Sequence, residues 1–572
     1  MQEWRIYSKK ADFEAIGRQY GIDPVIARII RNRGVIGDVA MDMYMKGTLA
    51  DMHSYHAMKD MDRAIEIISN AIRDGEPIRI IGDYDIDGIC SIYILFKGLV
   101  DLGADIDYEV PDRITDGYGI NENLIKQAYE DGRKVIITCD NGIAATSQIA
   151  YAKSLGMTVV VTDHHDVQFE DTDNGRRYLI PEADAVVDPK QPDCEYPFRS
   201  LCGAGIAYKF IRGMYEHEGR DVTLTEELLE FAAIATVGDI VDLLDENRII
   251  VKEGLARIRN TSNHGLNALM MLTGVDRDRI SAYHIGFVIG PCLNASGRLN
   301  TAKRAVRMLL ADDRETAERY AGELKDLNDE RKRITADATE RAIQLVENSS
   351  LKNDKVLVVY LSDCHESVAG IVAGRIKERY YRPTIVLTDS EEGIKGSARS
   401  IEAYNIFDKL MECRELLTKF GGHPMAAGLS LEKSRLEELR TRLNSSHGMS
   451  DSDLIEKIWI DVPMPIEYIN EKVIKDLEFL APYGKGNEKP VFADKNLIIR
   501  NISSIGKNND FTKLRLAKDN GVAIDAVGFF PADELKQAYI DNKRISCTYY
   551  PEINEFRGNR KLQICITGYK IN

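Results

Sequence analysis

V-V-V-T-D-H-H-D-V, residues 159–167, joins a β-branched strand to three potential metal ligands, Asp163, His164 and His165. Neighbouring side chains of a strand point to opposite faces, so ligands this dense indicate a strand that ends and opens into a loop. Loops held by a rigid scaffold carry much of the binding and catalytic chemistry of proteins. The stretch therefore predicts a functional site at a strand end.

Two more acidic runs end apolar strands in the same way: R-I-I-G-D-Y-D-I-D-G (79–88) and K-V-I-I-T-C-D-N-G (134–142). Strands alternate with helices through this region, which predicts βαβ units and a doubly wound parallel sheet. In such sheets ligands bind at the carboxyl ends of the strands. We expect strands near 78–82, 106–110, 135–139, 158–162 and 185–187, with helices such as 89–102 and 143–155 between them.

Length and composition limit the possible classes of protein. At 572 residues, the chain is expected to fold as about three to five domains. No apolar run approaches the roughly 20 residues of a membrane span, and the N-terminus lacks a signal sequence. Nine cysteines without a C-x-x-C pair favour reduced thiols in a cytoplasm. We expect a cytoplasmic protein without a membrane partner, and a monomer.

The net charge of −16 at first argues against a nucleic-acid partner. The charge is unevenly distributed, because residues 456–572 contain 18 Lys and Arg against 16 Asp and Glu. Binding to phosphate requires local basic patches rather than a basic whole chain. Metal ions would offset part of the acidity elsewhere.

The pattern of the chain predicts five segments. The third of them has an apolar stripe at helical spacing with dense charge elsewhere, which indicates a long solvated connector between two lobes. The fifth has five or six short strands, which suit a small barrel. The segments are 1–55 (helical), 56–310 (the parallel α/β domain), 311–349 (the connecting helix), 350–450 (a second α/β domain) and 455–572 (the barrel).

In each of the three acidic runs, a carboxylate follows the predicted strand. Asp83 and Asp85 are two residues apart, so an extended chain projects them to the same side, and a turn at Gly88 is expected to start the next helix. Asp239, in A-T-V-G-D-I-V-D-L, is a helical candidate. Several carboxylates around one point repel unless cations hold them, and carboxylates with one or two His suit Mn²⁺ or Mg²⁺ better than Zn²⁺. Two such ions can activate water for attack on phosphorus.

The ordered motifs D-Y-D-I-D-G, C-D-N-G, T-D-H-H and V-G-D-I-V-D-L resemble the DHH phosphoesterase superfamily, and within it the RecJ-like single-stranded-DNA-specific exonucleases. The resemblance covers about residues 60–570. It implies that His165 lies beside the metals, near the scissile phosphate. It also implies that Asp87 and Asp163 orient the ligands. The implied ligands of two Mn²⁺ or Mg²⁺ ions are Asp83, Asp85, Asp140, His164 and Asp239, which with His165 form the catalytic set.

Two Gly-containing runs leave alternatives open. C-G-A-G-I-A (202–207) precedes a helix and serves either a phosphate loop or close helix packing. I-G-P-C-L-N-A-S-G-R-L-N (289–300) sets Asn294 and Arg298 in what we expect to be an irregular segment. From the residues alone, Arg298 makes either a phosphate contact or a surface salt bridge. RecJ-like chains carry a similar N-A-x-G-R-L run, which implies the phosphate contact.

Three runs of the second α/β domain, H-E-S-V-A-G-I-V-A-G-R-I (365–376), K-G-S-A-R-S (395–400) and F-G-G-H-P-M-A-A-G (420–428), suit anion binding through backbone N–H groups, hydroxyl and guanidinium. His423 alone is equally well explained as a capped core histidine. In this order the runs resemble the DHH-associated domain of RecJ and of alanyl-tRNA editing proteins. The resemblance implies that Arg375, Ser397, Arg399 and His423 contact phosphate or nucleotide.

The barrel region alternates basic with aromatic and apolar residues in A-P-Y-G-K-G-N-E-K-P-V-F (481–492) and I-G-K-N-N-D-F-T-K-L-R-L (505–516). This pattern is typical of an OB-fold groove that stacks bases, and equally of any barrel strand. RecJ-like chains have an OB-fold here. The resemblance implies that Lys507, Lys513 and Arg515 contact DNA.

The resemblance implies a processive 5′→3′ exonuclease that hydrolyses single-stranded DNA to mononucleotides in recombination and repair. A helicase and a single-strand-binding protein would be its partners. Two alternatives remain: another superfamily phosphodiesterase, acting on oligoribonucleotides or small nucleotides, and a non-catalytic single-strand-binding homologue.

Overall fold

The structure, a computed structural model, describes residues 2–112, 116–173, 175–299, 301–390, 393–506, 510–556 and 559–572. The chain divides into two compact units. The larger consists mainly of Ser54–Asp239 and Gly254–Glu456, and the smaller of Glu3–His53, Ile240–Glu253 and Lys457–Asn572. Within the described part of the chain, no helix combines the length and apolar character needed to span a membrane.

The first domain of the larger unit is built on the predicted five-stranded parallel sheet. The first strand along the chain lies between the second and the third, so the connections diverge there. A divergence of this kind opens a crevice at the carboxyl ends of the two central strands. In spatial order the strands are Ile106–Glu109, Ile78–Gly82, Val135–Cys139, Thr158–Thr162 and Ala185–Val187.

The helix after the first acidic run begins at Ile86 and ends at Asp101, so the expected start after Gly88 is wrong. Asp85 is the N-cap, and its carboxylate accepts from the backbone N–H groups of Asp87 and Gly88. This cap satisfies donors that the first turn leaves open, so the helix starts earlier than expected. The next helices around the sheet are Glu122–Glu130 and Thr146–Ser154, and a hairpin that the sequence did not predict pairs Phe169–Thr172 with Gly175–Tyr178.

The chain after this sheet is helical, as predicted. The run at 289–300, expected to be irregular, is instead mostly helix, Gly290–Leu299. A π turn, Ile285–Ile289, precedes Pro291. Proline has no N–H to donate to the helical hydrogen-bond ladder, and the π turn interrupts the ladder just before this residue. The other α-helices of at least seven residues are Met61–Arg73, which precedes the sheet, and Gly203–His217, Leu229–Gly238, Asp245–Ile258, His264–Thr273 and Lys303–Leu309, which follow it.

The long connecting helix spans Arg314–Glu347 and has 34 residues. It is less solvated than the sequence suggested, because one side of the helix is buried along its whole length. Small side chains allow the close packing. The buried apolar residues are Ala317, Ala321, Leu324, Ala338, Ala342 and Val346.

The second α/β domain contains a mixed five-stranded sheet in which only the first two strands are parallel. Helix Glu366–Tyr380 packs on this sheet and carries the H-E-S-V-A-G run. The strands in spatial order are Lys419–His423, Ala426–Leu431, Gly393–Arg399, Thr384–Ser390 and Leu357–Tyr360, and the other helices are Ile406–Met411 and Leu436–Ser445.

The smaller unit contains the predicted barrel. Five strands close because the first pairs with both the second and the last in the ring. In ring order they are Phe492–Ile505, Phe511–Ala517, Ala523–Gly528, Asn559–Ile571 and Arg544–Phe556, with helices Glu471–Glu478 and Asp533–Ile540 alongside.

The N-terminal segment, predicted to be helical, begins with a strand, Gln2–Ile6, before its helices. Its helices also share one hydrophobic core with the barrel: Ile26, Ile29 and Ile30 belong to the same buried cluster as Leu477. The segment is therefore part of the barrel unit rather than a separate body. The helices are Phe13–Tyr20, Pro24–Asn32 and Asp38–Lys46.

Candidate metal centre and strand-binding surfaces

Three acidic side chains follow the central strand Ile78–Gly82. Asp83 is almost fully buried, and its carboxylate accepts from the Gly119 N–H at 3.3 Å. Asp85 is partly exposed at the helix N-cap. The two carboxylates come within 4.8 Å of each other and of Asp140. The switch point of the sheet therefore gathers three carboxylates.

Asp140 follows the neighbouring strand and is 2% exposed. Its backbone has φ 59°, a left-handed conformation that Asp adopts more readily than most residues. The Oδ1 atom of its carboxylate lies 3.0 Å from Nε2 of His164. The runs at 134–142 and 159–167 thus meet at one point, as their positions at the ends of parallel strands predicted.

The Asp-His-His run divides into three environments. Asp163 is buried and accepts from the backbone N–H groups of Ile143, His164 and His165, which fixes its orientation. His164 is 6% exposed, and its Nε2 lies 3.4 Å from Asp87 and 3.8 Å from Asp239. His165 is more open, and its Nδ1 lies 2.8 Å from Asp163 Oδ1. These contacts suit the orienting role predicted for Asp163.

Asp239 caps the C-terminus of helix Leu229–Gly238. Its potential ligand atom lies within 4.8 Å of those of His164 and Asp87. The potential ligand atoms of Asp140, His164 and His165 also lie within 4.8 Å of one another. Together with Asp83 and Asp85, these overlapping groups form one continuous cluster, to which Asp163 is hydrogen-bonded. The structure therefore brings together all the acidic and imidazole residues predicted for the site, from four separate stretches of sequence.

Burial and mutual repulsion hold protons on this cluster. Burial, followed by the charges of Asp87 and Asp85, raises the pKa of Asp239 to about 8 and raises that of Asp140 well above its usual range. Burial and Asp85 likewise raise the pKa of Asp83. Burial lowers the pKa of His164 to about 3. At neutral pH, carboxyl groups with pKa values raised this far ionise fully only when cations neutralise them.

His165 behaves differently. Burial acts to lower its pKa, but the hydrogen bond and the charge of Asp163 outweigh burial and raise the pKa to about 9. The Tyr118 hydroxyl donates to the main-chain oxygen of Asp140 at 2.9 Å and lies 3.1 Å from His165 Nε2. His165 is therefore a fixed cation at neutral pH, beside the cluster but more exposed than His164.

The C-G-A-G-I-A run serves the cluster through its backbone. The Gly203 and Ala204 N–H groups, at the start of helix Gly203–His217, donate to the two carboxylate oxygens of Asp87 at 2.6 and 2.7 Å. A Cβ on Gly203 would lie 2.9 Å from the Cβ of Asp140. Of the two alternatives, close helix packing therefore describes this run. Asp87 is held by the helix N-terminus, which suits an orienting role.

Asn294 and Arg298 lie one turn apart on helix Gly290–Leu299. The Asn294 side-chain oxygen accepts from the Ile86 N–H at 2.8 Å, next to Asp85. The Arg298 guanidinium donates to the main-chain oxygen of Ser367 at 3.0 Å, in the second α/β domain. One helix therefore runs from the acidic cluster to the neighbouring domain.

The second α/β domain presents three of its predicted residues on one sheet face. Arg399 pairs with Ala426, and Ala426 pairs with His423, so the two side chains lie on either side of a small residue in one row. Ser397, two residues before Arg399, lies on the same face. His423 is exposed, which excludes the core-histidine alternative. Arg375 is exposed on the helix that packs over this sheet.

Ser397, from this sheet face, lines a cleft of about 460 Å³ together with Gly421 and Gly428. Space for a side chain is open above both glycines, which leaves their backbone bare. His423 also acts electrostatically on the loop that follows the Asp-His-His run. Although burial acts to raise it, the charges of Lys190, His423 and His165 hold the pKa of Asp166 below its usual range.

On the barrel, Lys513 and Arg515 project from the outer face of strand Phe511–Ala517. Arg515 forms an ion pair with Asp525 at 2.7 Å, whereas Lys513 lines a cleft of about 320 Å³ together with Lys561. Phe511 is 37% exposed and contacts the still more exposed Phe529 edge to face. Lys507, predicted as a contact, lies outside the described residues.

Three regions of the chain match known protein families in the order of the domains above. Residues 77–236 match the N-terminal domain of the DHH family, residues 353–446 match the DHHA1 domain, and residues 460–568 match the RecJ OB domain. The chain is also 37% identical over 568 residues to the single-stranded-DNA-specific exonuclease RecJ of Bacillus subtilis (strain 168), covering 98% of this chain and 70% of the relative. The chain belongs to the RecJ family.

Other RecJ proteins are similar over the same extent. The Salmonella typhimurium RecJ is 33% identical over 591 residues, covering 99% of each chain. The crystal structure of RecJ in complex with Mn²⁺ from Thermus thermophilus superposes with a TM-score of 0.84 at 25% identity, covering 99% of this chain and 79% of that one. The family resemblance expected from the motifs is thus confirmed.

The donor set of this RecJ-family cluster fits hard divalent cations. Carboxylate oxygens dominate and one or two imidazoles join them, while the described part of the chain places no thiolate among the candidate ligand groups. Such a set suits Mn²⁺ or Mg²⁺ better than Zn²⁺. Bound cations would take the place of the protons retained by Asp239 and Asp140 and would neutralise these two carboxylates.

Sequence reasoning missed two residues of the RecJ-family site. Tyr118 lies in the loop after strand Ile106–Glu109, and only its aromatic type in P-D-R-I-T-D-G-Y-G hinted at a role. Asn141 is 1% exposed, and its side-chain amide donates to the main-chain oxygens of Ile81 and Cys139, tying the two central strands together. Its place directly after Asp140 in C-D-N-G was a signal that could have been used.

Proposed function

We propose that this chain is a Mn²⁺- or Mg²⁺-dependent exonuclease that degrades single-stranded DNA processively from the 5′ end to mononucleotides. The observation that carries the proposal is that the larger unit contains both the acidic cluster and, in its next domain, the sheet face that bears Ser397, Arg399 and His423. The relatives from Bacillus subtilis and Salmonella typhimurium support the activity, since they are single-stranded-DNA-specific exonucleases. The 5′→3′ polarity and the processivity are proposed on the family resemblance.

The candidate ligands of the metal ions are Asp83, Asp85, Asp140, His164 and Asp239. When bound, a pair of Mn²⁺ or Mg²⁺ ions supplies charge neutralisation at the phosphoryl group and lowers the pKa of water. Asp87 and Asp163 are held in place by backbone N–H groups and in turn position their neighbours. The solved RecJ complexes from Thermus thermophilus contain Mn²⁺ or Mg²⁺, and the carboxylate-rich donor set supports the same cations here.

The chain's own residues contribute binding and orientation. His165 is a cation at neutral pH, because Asp163 accepts its Nδ1–H, and its exposed edge suits a non-bridging oxygen of the scissile phosphate. Ser397, Arg399 and His423 offer a hydroxyl, a guanidinium fork and an imidazole to the phosphate at the strand's end. Bare backbone at Gly421 and Gly428 leaves room for a nucleotide beside them.

For the barrel, we propose that Lys513 contacts the phosphate backbone while Phe511 and Phe529 stack on bases. Lys513→Ala is expected to weaken binding of single strands and to reduce the salt dependence of log K by about 0.7, because one phosphate contact on a single strand is lost. Titration of a labelled oligonucleotide at several salt concentrations measures the slope. Lys475→Ala, which removes an exposed cation from helix Glu471–Glu478, is the matched control. An unchanged slope in the Lys513 variant would remove this residue from the contact surface.

Product analysis on long strands labelled at the 5′ or the 3′ end, with Mn²⁺ and with Mg²⁺, tests the proposed function. A 5′ label is expected to appear at once as mononucleotide, while a 3′ label is retained in shortening strands. If long strands stay intact while short oligomers are consumed, the chain is instead a phosphodiesterase of small nucleotides. If strands are bound but never shortened with either metal, it is a binding protein.

Finer features of the partners and location are also proposed. An exonuclease confined to single strands depends on another activity to open duplexes, which supports a helicase partner, and a single-strand-binding protein would present the strand. The nine cysteines, all of them within described residues, form no disulfides, which supports a reducing cytoplasm. We propose that the chain works there as a monomer.

A further inference from the structure

An arginine outside the predicted set lies where three helices of the larger unit meet. Arg331 is on the long helix Arg314–Glu347, which packs against both Gly290–Leu299 and Glu366–Tyr380. These two helices carry Arg298 and Arg375 respectively. Arg331 is only partly exposed, and its charge interacts with that of Arg375. Three guanidinium groups therefore come from three helices that pack together.

Arg331 is held in place by a neutral group. Its Nε–H and one Nη2–H donate to the side-chain oxygen of Asn328, at 3.2 and 2.8 Å. Asn328 is 2% exposed, and its amide in turn donates to the Cys292 thiol at 3.3 Å on the neighbouring helix. A buried amide fixed at both ends therefore orients the guanidinium without neutralising its charge.

The nearby acidic residues of the same helix are occupied elsewhere. Asp329 pairs with Lys325 at 2.7 Å, and Glu330 pairs with Arg333 at 2.6 Å. Within the described part of the chain, no carboxylate forms an ion pair with Arg331 or Arg375. Burial, with the charge of Arg375, lowers the pKa of Arg331. The two cations thus repel each other across the packed helices, and an anion bound between them would relieve this repulsion.

We propose that Arg331, fixed by Asn328, forms with Arg375 a clamp for a backbone phosphate of the single strand. This inference rests on the proposed function and adds to it a contact contributed by the connecting helix. Two of roughly five guanidinium N–H groups are used by Asn328, which leaves about three for phosphate oxygens. Arg375 follows Ser367, the partner of Arg298, by about 12 Å along an α-helix. The clamp therefore holds the strand away from the phosphate that Arg298 would meet.

Binding of oligo(dT) to the full chain, measured at several salt concentrations with chelator present to prevent cleavage, tests the clamp. Arg331→Gln is expected to bind about tenfold more weakly, because a charge-assisted hydrogen bond is lost. The salt slope is expected to fall by about 0.7, the value for one phosphate contact on a single strand. Arg333→Gln removes a nearby cation that Glu330 already neutralises, and it is expected to match the unsubstituted chain.

Asn328→Asp separates a binding role from a structural one. The substitution keeps the shape and the arginine but places a carboxylate against the guanidinium. If Arg331 grips phosphate, this neutralisation is expected to weaken binding and lower the slope as Arg331→Gln does. If Arg331 only supports the helix junction, the new ion pair leaves binding unchanged, and the proposal is overturned.

The remaining outcomes are also distinguishable. Thermal unfolding of each variant identifies any loss of folded protein before binding is compared. If the unsubstituted chain binds and shortens single strands but Arg331→Gln behaves like Arg333→Gln, the clamp fails and the proposed function stands. If the unsubstituted chain neither binds nor shortens single strands, both fail together.

Discussion

Asp140→Ala is expected to abolish cleavage of single-stranded DNA while leaving strand binding largely intact. Asp140 meets Asp83 and Asp85 on one side and His164 and His165 on the other, so its carboxylate is shared by both halves of the cluster. Loss of a partner that only orients a ligand typically costs about 10–100-fold in metal affinity or activity, and loss of a shared ligand is expected to cost more. The proposed strand contacts lie mainly in other domains, so strand binding is expected to persist.

Rates of release of labelled mononucleotide, with Mn²⁺ and with Mg²⁺, measure the effect on cleavage, and titration of the strand measures binding. Asp105→Ala is a suitable control, because Asp105 lies at the amino end of the same sheet and is mostly exposed. Turnover of the Asp140 variant near that of the control would mean that hydrolysis takes place elsewhere. Loss of binding together with activity would indicate a damaged fold.

Removal of divalent cations is expected to stop cleavage and to destabilise the protein increasingly as the pH rises from 7 to 9. In the metal-free protein Asp239 keeps its proton up to a pKa of about 8, whereas the unfolded chain releases it near 4. The folded state then binds more protons than the unfolded state, so the free energy of unfolding falls as the pH rises through 8. The raised pKa of His165, about 9, acts in the same direction.

A bound cation replaces the proton of Asp239, so the metal-loaded protein is expected to escape the part of this loss that Asp239 causes. His164 does not affect the comparison between pH 7 and 9. Its pKa is lowered from 6.5 to about 3, so its contribution to the free energy of unfolding changes only below about 6.5. Thermal unfolding with Mn²⁺ and with chelator, at pH 7, 8 and 9, measures the gap in Tm. A gap that stays constant or narrows would argue against proton release from this cluster on metal binding.

The sequence by itself predicted the main architecture because each element carries its own signal. Buried strands, each followed by a turn or helix, pack as a covered parallel sheet, and their order along the chain places Asp83 and Asp140 at one switch point. The barrel followed from short alternating strands in the same way. Local chemistry was less well predicted: Asp85 starts its helix early as a cap, and a π turn admits Pro291 to a helix.

Only the tertiary structure decided how side chains from distant stretches divide the work. Asp87 was expected to orient the metal ligands, but its contacts with the Gly203 and Ala204 N–H groups depend on a helix 116 residues later. His423 could be core or surface until the sheet exposed it. Arg331 carries no local signal, because the burial of its partner Asn328 and the approach of its cationic neighbour Arg375 arise only where three helices meet. Sequence determines what each segment can form, whereas the charge and the burial of a side chain depend on which other segments surround it.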